Sequence, residues 1–223
     1  IQFHPSRLDE PLRWRKPQRV FVCSLGDLFH PEVSVTWLES VLAVITNCPQ
    51  HTFMVLSKRP ERFLLLTKDR LRISRTDTWP IRNLWLGISV ENQQTADERT
   101  PILLQTPAAV RFVSVEPYLS HVNLKPFFEW TNLDGERVNR GPHWVICGAE
   151  SGPSRRPCDI GWIRNLRDQC VAAGVPIFIK QLSINGRLSK DISEWPQDLR
   201  IRELLNSRNS RNGMCADRGY QKT

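Results

Sequence analysis

The sequence predicts an α/β fold, a partial (β/α)6 TIM-like barrel of parallel strands, and three observations carry that prediction. Six short apolar runs stand out: RVFVCS (19–24), TFMVLS (52–57), LWLGISV (84–90), VRFVSV (110–115), HWVICG (143–148) and PIFIKQ (176–181). Each is rich in β-branched or aromatic residues and none alternates cleanly, which is the pattern of strands buried on both faces. Helical patterns lie between several of them, the strand–helix alternation of an α/β chain. The residues that follow the runs, Asp27, Lys58, Glu91, Glu116, Glu150 and Leu182, recur at intervals of about 25 to 34, the length of one βα unit. A complete eight-unit barrel takes about 31 residues per unit, so six units fit this chain. An open doubly wound sheet has the same periodicity and is the alternative.

The elements follow in order. Val20 to Cys23 read as a buried strand that breaks at Ser24, Gly26 and Asp27. Residues 34–48 place Trp37, Leu38, Val41, Leu42, Val44 and Ile45 on one helical face, and Pro49 stops the helix. Residues 57–69 read as a helix with Ser57 as N-cap and Pro60 near the first turn. A third helix starts at Asn92 and runs to 106, where Pro101 is expected to kink or split it. Residues 117–142 break the rhythm, with a short helix near Leu124 to Trp130 and then a turn or small hairpin around LDGER. Residues 159–174 run from an Asp cap to a Gly stop, with Ile163, Leu166 and Cys170 inward. Residues 183–223 are polar. The expected organisation is one barrel-like domain over 1–206 and a basic, disordered tail over 207–223.

Bulk properties narrow the function classes. The 223 residues are 40% hydrophobic and 24% charged, an ordinary globular mixture. No apolar stretch approaches the ~20 residues of a membrane span, and no signal peptide is visible. Six scattered cysteines, none closely spaced, favour reduced thiols in a cytoplasmic setting and give no zinc or iron–sulfur pattern. The net charge of +8 sits at the ends: residues 1–19 carry +3, residues 200–223 carry +4, and the middle is nearly neutral. Solvated termini account for this, and a basic tail touching phosphate is the functional alternative. The chain opens on Ile1 rather than Met, and is read as a fragment.

In a parallel βα array the C-terminal strand ends open on one face, where loops carry function. Four of the six strand exits deliver a carboxylate: Asp27, Glu91, Glu116 and Glu150. Two deliver a lysine, Lys58 and Lys180. Clustered carboxylates repel one another unless a cation intervenes, so convergence predicts a metal, a cationic cofactor group or raised pKa values. Pairing with Lys58, Arg59 and Lys180 is the structural alternative. His30 reads as a packed or exposed histidine before a metal ligand. Lys180, inside an apolar strand, has the position of a Schiff-base lysine, with a paired structural role as the alternative. GAESGPSRRP (148–157) could cradle an anion with backbone amides and Arg155 or Arg156, although it matches no phosphate-loop motif. Trp14, Trp37, Trp85, Trp144 and Trp162 read as core or interface mass rather than as base-stacking platforms. No Ser-His-Asp or Cys-His arrangement can be assembled.

The stretches LDEPLRWRKPQRVFVCSLGDLFH, HTFMVLSKRPERF, LWLGISVENQQTADERTPILLQTPAAVRFVSVEPYL, GAESGPSRRPCD and LRDQCVAAGVPIFIKQ, spanning roughly residues 4 to 190, resemble an uncharacterised bacterial and bacteriophage gene-product family. That family is similar to radical S-adenosylmethionine (SAM) proteins, particularly the branch of spore photoproduct lyase. The resemblance implies a radical-SAM-like partial barrel, truncated at its N-terminus here. Members usually begin with a cysteine-rich segment holding a [4Fe–4S] cluster with SAM on the open iron. This chain lacks that segment, so it should not assemble the cluster. By position, Gly26 and Asp27 would hold the methionyl amine of SAM, and Ser89, Glu91 and Asn92 its carboxylate or ribose. Glu116, Glu150 and Lys180 would act at the deeper, catalytic end, with Lys58, Arg59 and Gln181 binding substrate.

The expected function is a truncated radical-SAM-like enzyme domain acting on nucleic acid or a nucleotide. A metal-dependent barrel hydrolase or lyase using Asp27, Glu91, Glu116 and Glu150 is the second reading. A non-catalytic nucleic-acid- or partner-binding module is the third.

Overall fold

The computed structural model describes residues 1–66, 80–128, 130–131, 137–138 and 141–205. Its centre is a seven-stranded sheet curled into a half-barrel. Strands β1 (Arg19–Val22), β2 (Thr52–Ser57), β3 (Leu84–Ser89) and β4 (Val110–Val115) pair in parallel and in chain order. The pair β5 (Trp130–Thr131) and β6 (Arg137–Val138) stands apart as a two-stranded antiparallel ribbon. Strand β7 (Trp144–Gly148) pairs with β4, and β8 (Ile177–Ile184) with β7, both in parallel; β9 (Arg187–Ser189) folds back antiparallel on β8. Strand order therefore follows chain order with no switch point, which removes the doubly wound alternative.

The helices form where capping and periodicity place them. Besides the single-turn α1 (Pro5–Leu8), α2 (Val35–Asn47) starts at Ser34, whose hydroxyl accepts the Trp37 N–H. The third helix, α3 (Gln93–Gln105), opens with a reciprocal box in which Asn92 Oδ1 accepts from Thr95 N and Thr95 Oγ1 accepts from Asn92 N. The short α4 (Lys125–Phe128) precedes the β5–β6 ribbon. Helix α5 (Ile160–Ala173) runs from an Asp159 cap to Gly174, whose φ of 67° is the left-handed stop that glycine adopts freely.

Several expectations are corrected. The helix expected over 57–69 is a 3-10 turn, Pro60–Leu66, and residues 67–69 lie outside the described set. Ser57 ends β2, and its hydroxyl accepts from Arg59 N rather than capping a helix. Pro101 does not split α3, which is continuous around it. Strand β1, expected to be buried, alternates exposed and half-buried because nothing among the described residues covers its outer edge. The last apolar run extends further than 181: β8 reaches Ile184, β9 follows, and Trp195 is 1% exposed. The expected turn of LDGER at 132–136 and the tail from 206 onward lie outside the described residues.

Period-two alternation sorts the strands into two faces. Outward residues such as Phe53, Val55, Leu86, Ile88, Val113, Val145 and Ile179 share the main core with the apolar sides of α2, α3 and α5. The inner face, to which no helix among the described residues contributes, carries a second cluster: Trp85, Val110, Phe112, Trp144 and Ile146, with Met54, Leu56, Phe178 and Leu205 against it. These residues sit mostly in the N-terminal halves of the strands and plug the lower half-barrel. Residues 201–203 take the free lower edge of β8, where Ile179 N donates to Ile201 O and Glu203 N to Ile177 O. Leu205 then reaches the plug, and its carbonyl accepts from Arg19 Nη2 at 2.7 Å.

Gly87 is required by the plug. A Cβ there would lie 2.3 Å from the Phe112 ring, which occupies the space a side chain would need. Gly87→Ala is expected to lower stability by about 1–3 kcal/mol in urea denaturation, with partial recovery in Gly87→Ala/Phe112→Leu. A single-variant loss below about 0.5 kcal/mol would contradict this packing.

Candidate functional site

Along the inner face the alternation that builds the plug switches from apolar to polar as the strands end. In β2, Met54 and Leu56 are followed by Lys58. In β3, Trp85 and Gly87 are followed by Ser89 and then Glu91. In β4, Val110 and Phe112 are followed by Ser114 and then Glu116, and in β8 Phe178 is followed by Lys180. One rim at the C-terminal strand ends therefore gathers charged groups from four strands.

Each carboxylate meets cations from the chain itself. Asp27 Oδ2 accepts from Arg59 Nη1 at 2.8 Å and from Lys58 N at 3.2 Å, while Oδ1 accepts from Phe29 N. Glu91, 8% exposed, has Lys58 Nζ at 2.6 Å from Oε1 and Arg99 Nη1 at 2.9 Å from Oε2. Burial pushes the Glu91 carboxyl up, but Lys58 and Arg99 outweigh it and hold the group below the ordinary carboxylate range. Arg99 also donates to Ser89 O at 2.7 Å, which fixes its guanidinium between strand and carboxylate. Four carboxylates face five cations, Lys58, Arg59, Arg99, Arg156 and Lys180. The expected acid cluster awaiting a cationic guest is thus a rim of alternating charge, because β2, α3, β8 and the loop after β7 each bring their own base.

Glu116 is reached by two consecutive residues of β8. Lys180 Nζ lies 2.8 and 3.1 Å from its carboxylate oxygens, and Gln181 Nε2 donates to Oε1 at 3.2 Å and to Ala149 O at 2.6 Å. The register shift opposite Cys147 and Gly148 makes this possible, since a bulge turns neighbouring side chains to one side. Lys180 is half exposed and ion-paired, which is the structural alternative to a Schiff-base lysine. The turn after Glu116 is stitched to both neighbours: Tyr118 N donates to Gly148 O and Leu119 N to Glu91 O.

The loop expected to cradle an anion holds the chain's own. Arg156 donates to Glu150 through its backbone N at 2.7 Å and its Nε at 2.9 Å, and Nη2 closes the fork. Arg155 is committed to Gly186 O at 2.9 Å. The Arg156 side chain and backbone hydrogen bonds pull the Glu150 carboxyl down to about 2. Asn92 spends its Oδ1 on the α3 cap. Gly26 lies in the turn after β1, where a Cβ would meet nothing within 4 Å, so the rim beside Asp27 is open. His30 Nδ1 accepts from Glu32 N. Sequence reasoning missed Arg99, whose signal is its place two turns into the helix that Asn92 caps.

Among the described residues no three His, Cys, Asp or Glu side chains are placed to hold a metal ion. Cys48, Cys147, Cys158 and Cys170 are buried free thiols, and burial pushes Cys158 and Cys170 up to about 12. Among the described residues they do not gather into the group of three that a [4Fe–4S] cluster needs. Among the described residues no helix is long and apolar enough to cross a membrane.

With a folded pKa near 2 against an ordinary 4.5, whatever stability Glu150 contributes is present above pH 4.5 and is lost as pH falls through 2. In a carboxyl NMR titration Glu150 is expected to stay ionised at pH 3.5, and Arg156→Gln to return it toward 4.5. An unchanged midpoint in Arg156→Gln would show that the fork does not set it.

No curated protein and no solved structure matches the chain. A family model described as "Protein of unknown function (DUF5131)" matches residues 1–211, so the chain belongs to that family.

Proposed function

We propose that the chain is the half-barrel body of a radical-SAM-type enzyme acting on nucleic acid or a nucleotide, and that its rim takes the methionyl end of SAM between β1 and β3. The observation that carries this reading is the alternation of charge there: Asp27 with Arg59, and Glu91 with Lys58. A ligand with one ammonium and one carboxylate can exchange partners with such pairs and leave no charge unmatched, whereas a singly charged ligand strands one. In enzymes of that type SAM supplies one-electron chemistry. The described thiols do not gather to hold the cluster that such chemistry uses.

The chain's own residues bind and orient. Lys58, about half exposed, can swing from Glu91, while Arg99 keeps hold of the other Glu91 oxygen and preserves its aim. The open space at Gly26 admits a ligand beside Asp27. Ser89 and Asn92 flank Glu91, and Glu116, Lys180, Gln181 and Glu150 continue the rim toward β7 and β8 as the substrate side.

Titration calorimetry of SAM into the full chain at pH 7 tests this. Saturable binding is expected, weakened by about tenfold or more in Asp27→Asn and Glu91→Gln, the loss of one charge-assisted hydrogen bond. Binding indifferent to both substitutions, or none at millimolar ligand, would remove the proposal.

A further inference from the structure

We propose that the segment LRWRKPQR, residues 12–19, is a second binding surface, for single-stranded nucleic acid. It does not rest on the reading of the rim. All eight residues are exposed, an uncommon run in a segment that leads straight into a strand. It carries four cations and no acid. Among the described residues Arg15 and Lys16 have no ion pair or hydrogen bond, so their charge faces solvent. Leu12 is 46% exposed and Trp14 36%.

The loop is exposed yet held. His51, 1% exposed, accepts from Gln18 N through Nδ1 at 3.1 Å, and its Nε2 lies 3.0 Å from Pro11 O. With Nδ1 accepting, Nε2 carries the proton and donates, so one buried ring ties both ends of the loop. The Trp14 ring packs edgewise on the same histidine, with centroids 5.6 Å apart. Ordering is therefore largely complete before any ligand arrives, which favours binding.

Interleaved cations and an exposed aromatic match a phosphate backbone carrying stackable bases. Single strands are favoured over duplex for two reasons. Between the end of a single 3-10 turn, Glu10–Arg13, and the start of β1 at Arg19 the surface is a loop, with no α-helix or two-stranded ribbon to enter a groove, and a ring such as Trp14 stacks on base faces that a duplex hides. The strand that follows extends the surface. Val20 and Val22 face the main core, so Arg19 and the 38%-exposed Phe21 face the inner side and lead toward the rim at Asp27. A bound strand would be delivered to the carboxylate-bearing end of the half-barrel.

Fluorescence anisotropy of the full chain with a labelled 12-nucleotide oligothymidylate, and with a duplex of the same length, tests the proposal at 50 to 200 mM salt. The single strand is expected to bind more tightly, with a log–log salt slope of about −2 to −3 for three to four phosphate contacts. Trp14→Ala should weaken binding about fivefold or more while Trp14→Phe retains most of it. Arg15→Ala/Lys16→Ala should make the slope shallower by about 1.4. Circular dichroism and an unchanged urea midpoint verify that these variants keep their fold. Equal or tighter duplex binding, indifference to Trp14→Ala, no binding at 50 mM salt, or loss that follows Arg208→Ala/Arg211→Ala/Arg218→Ala instead would each overturn it.

Discussion

The structure turns on the cost of leaving an ionised group at the end of a buried strand. A parallel sheet covered by helices withdraws its strand ends from water, and a lone carboxylate there would carry a large desolvation penalty. Glu91 shows the solution most fully. It is almost buried, yet it stays ionised because a lysine from the neighbouring strand end and an arginine from the following helix take one oxygen each. The same demand orders its surroundings. Arg99 must point back at the sheet, which fixes the start of α3. Lys58 must reach across from β2, which ties the first βα units together at the top. The rim is thus held by charge, while the lower half-barrel is held by the tryptophan-rich plug.

This division suits a binding face. A plug of interlocking aromatic and aliphatic side chains has one good packing, as the contact of Phe112 with the Gly87 backbone illustrates. Ion pairs that are half exposed can exchange partners at low cost, since water screens the intermediate arrangements. A rigid base beneath an exchangeable rim gives preorganised geometry without locking the ligand out.

Much of the architecture was legible because continuous apolar runs and cap residues are local signals. The six runs locate β1 to β4, β7 and β8, and Ser34, Asn92, Asp159 and Gly174 mark helix ends by chemistry that depends only on near neighbours. The carboxylates at strand ends were legible for the same reason. Lys58, Arg59 and Lys180 were legible as candidate partners, but which carboxylate each meets was not, because pairing depends on three-dimensional register. Arg99 lies on a helix whose rotation sets its aim, and Gln181 joins Lys180 at Glu116 only through a bulge that no residue type announces. The loop after Glu150 read as an anion cradle, and the chemistry was right, but the anion is the chain's own. Residues 183–205 read only as polar because their apolar members are sparse, and Trp195 is buried by a fold-back that period-two or helical patterns do not reveal.

The contact between Arg19 and the Leu205 carbonyl joins groups 186 positions apart. During synthesis β1 emerges before the other described strands, and the segment that meets it emerges after all of them. The βα units between them can assemble progressively, because each pairs with its predecessor. The underside of the half-barrel cannot be finished until Leu205 has emerged, so the inner aromatic surface stays without this covering residue until all the described strands have been made.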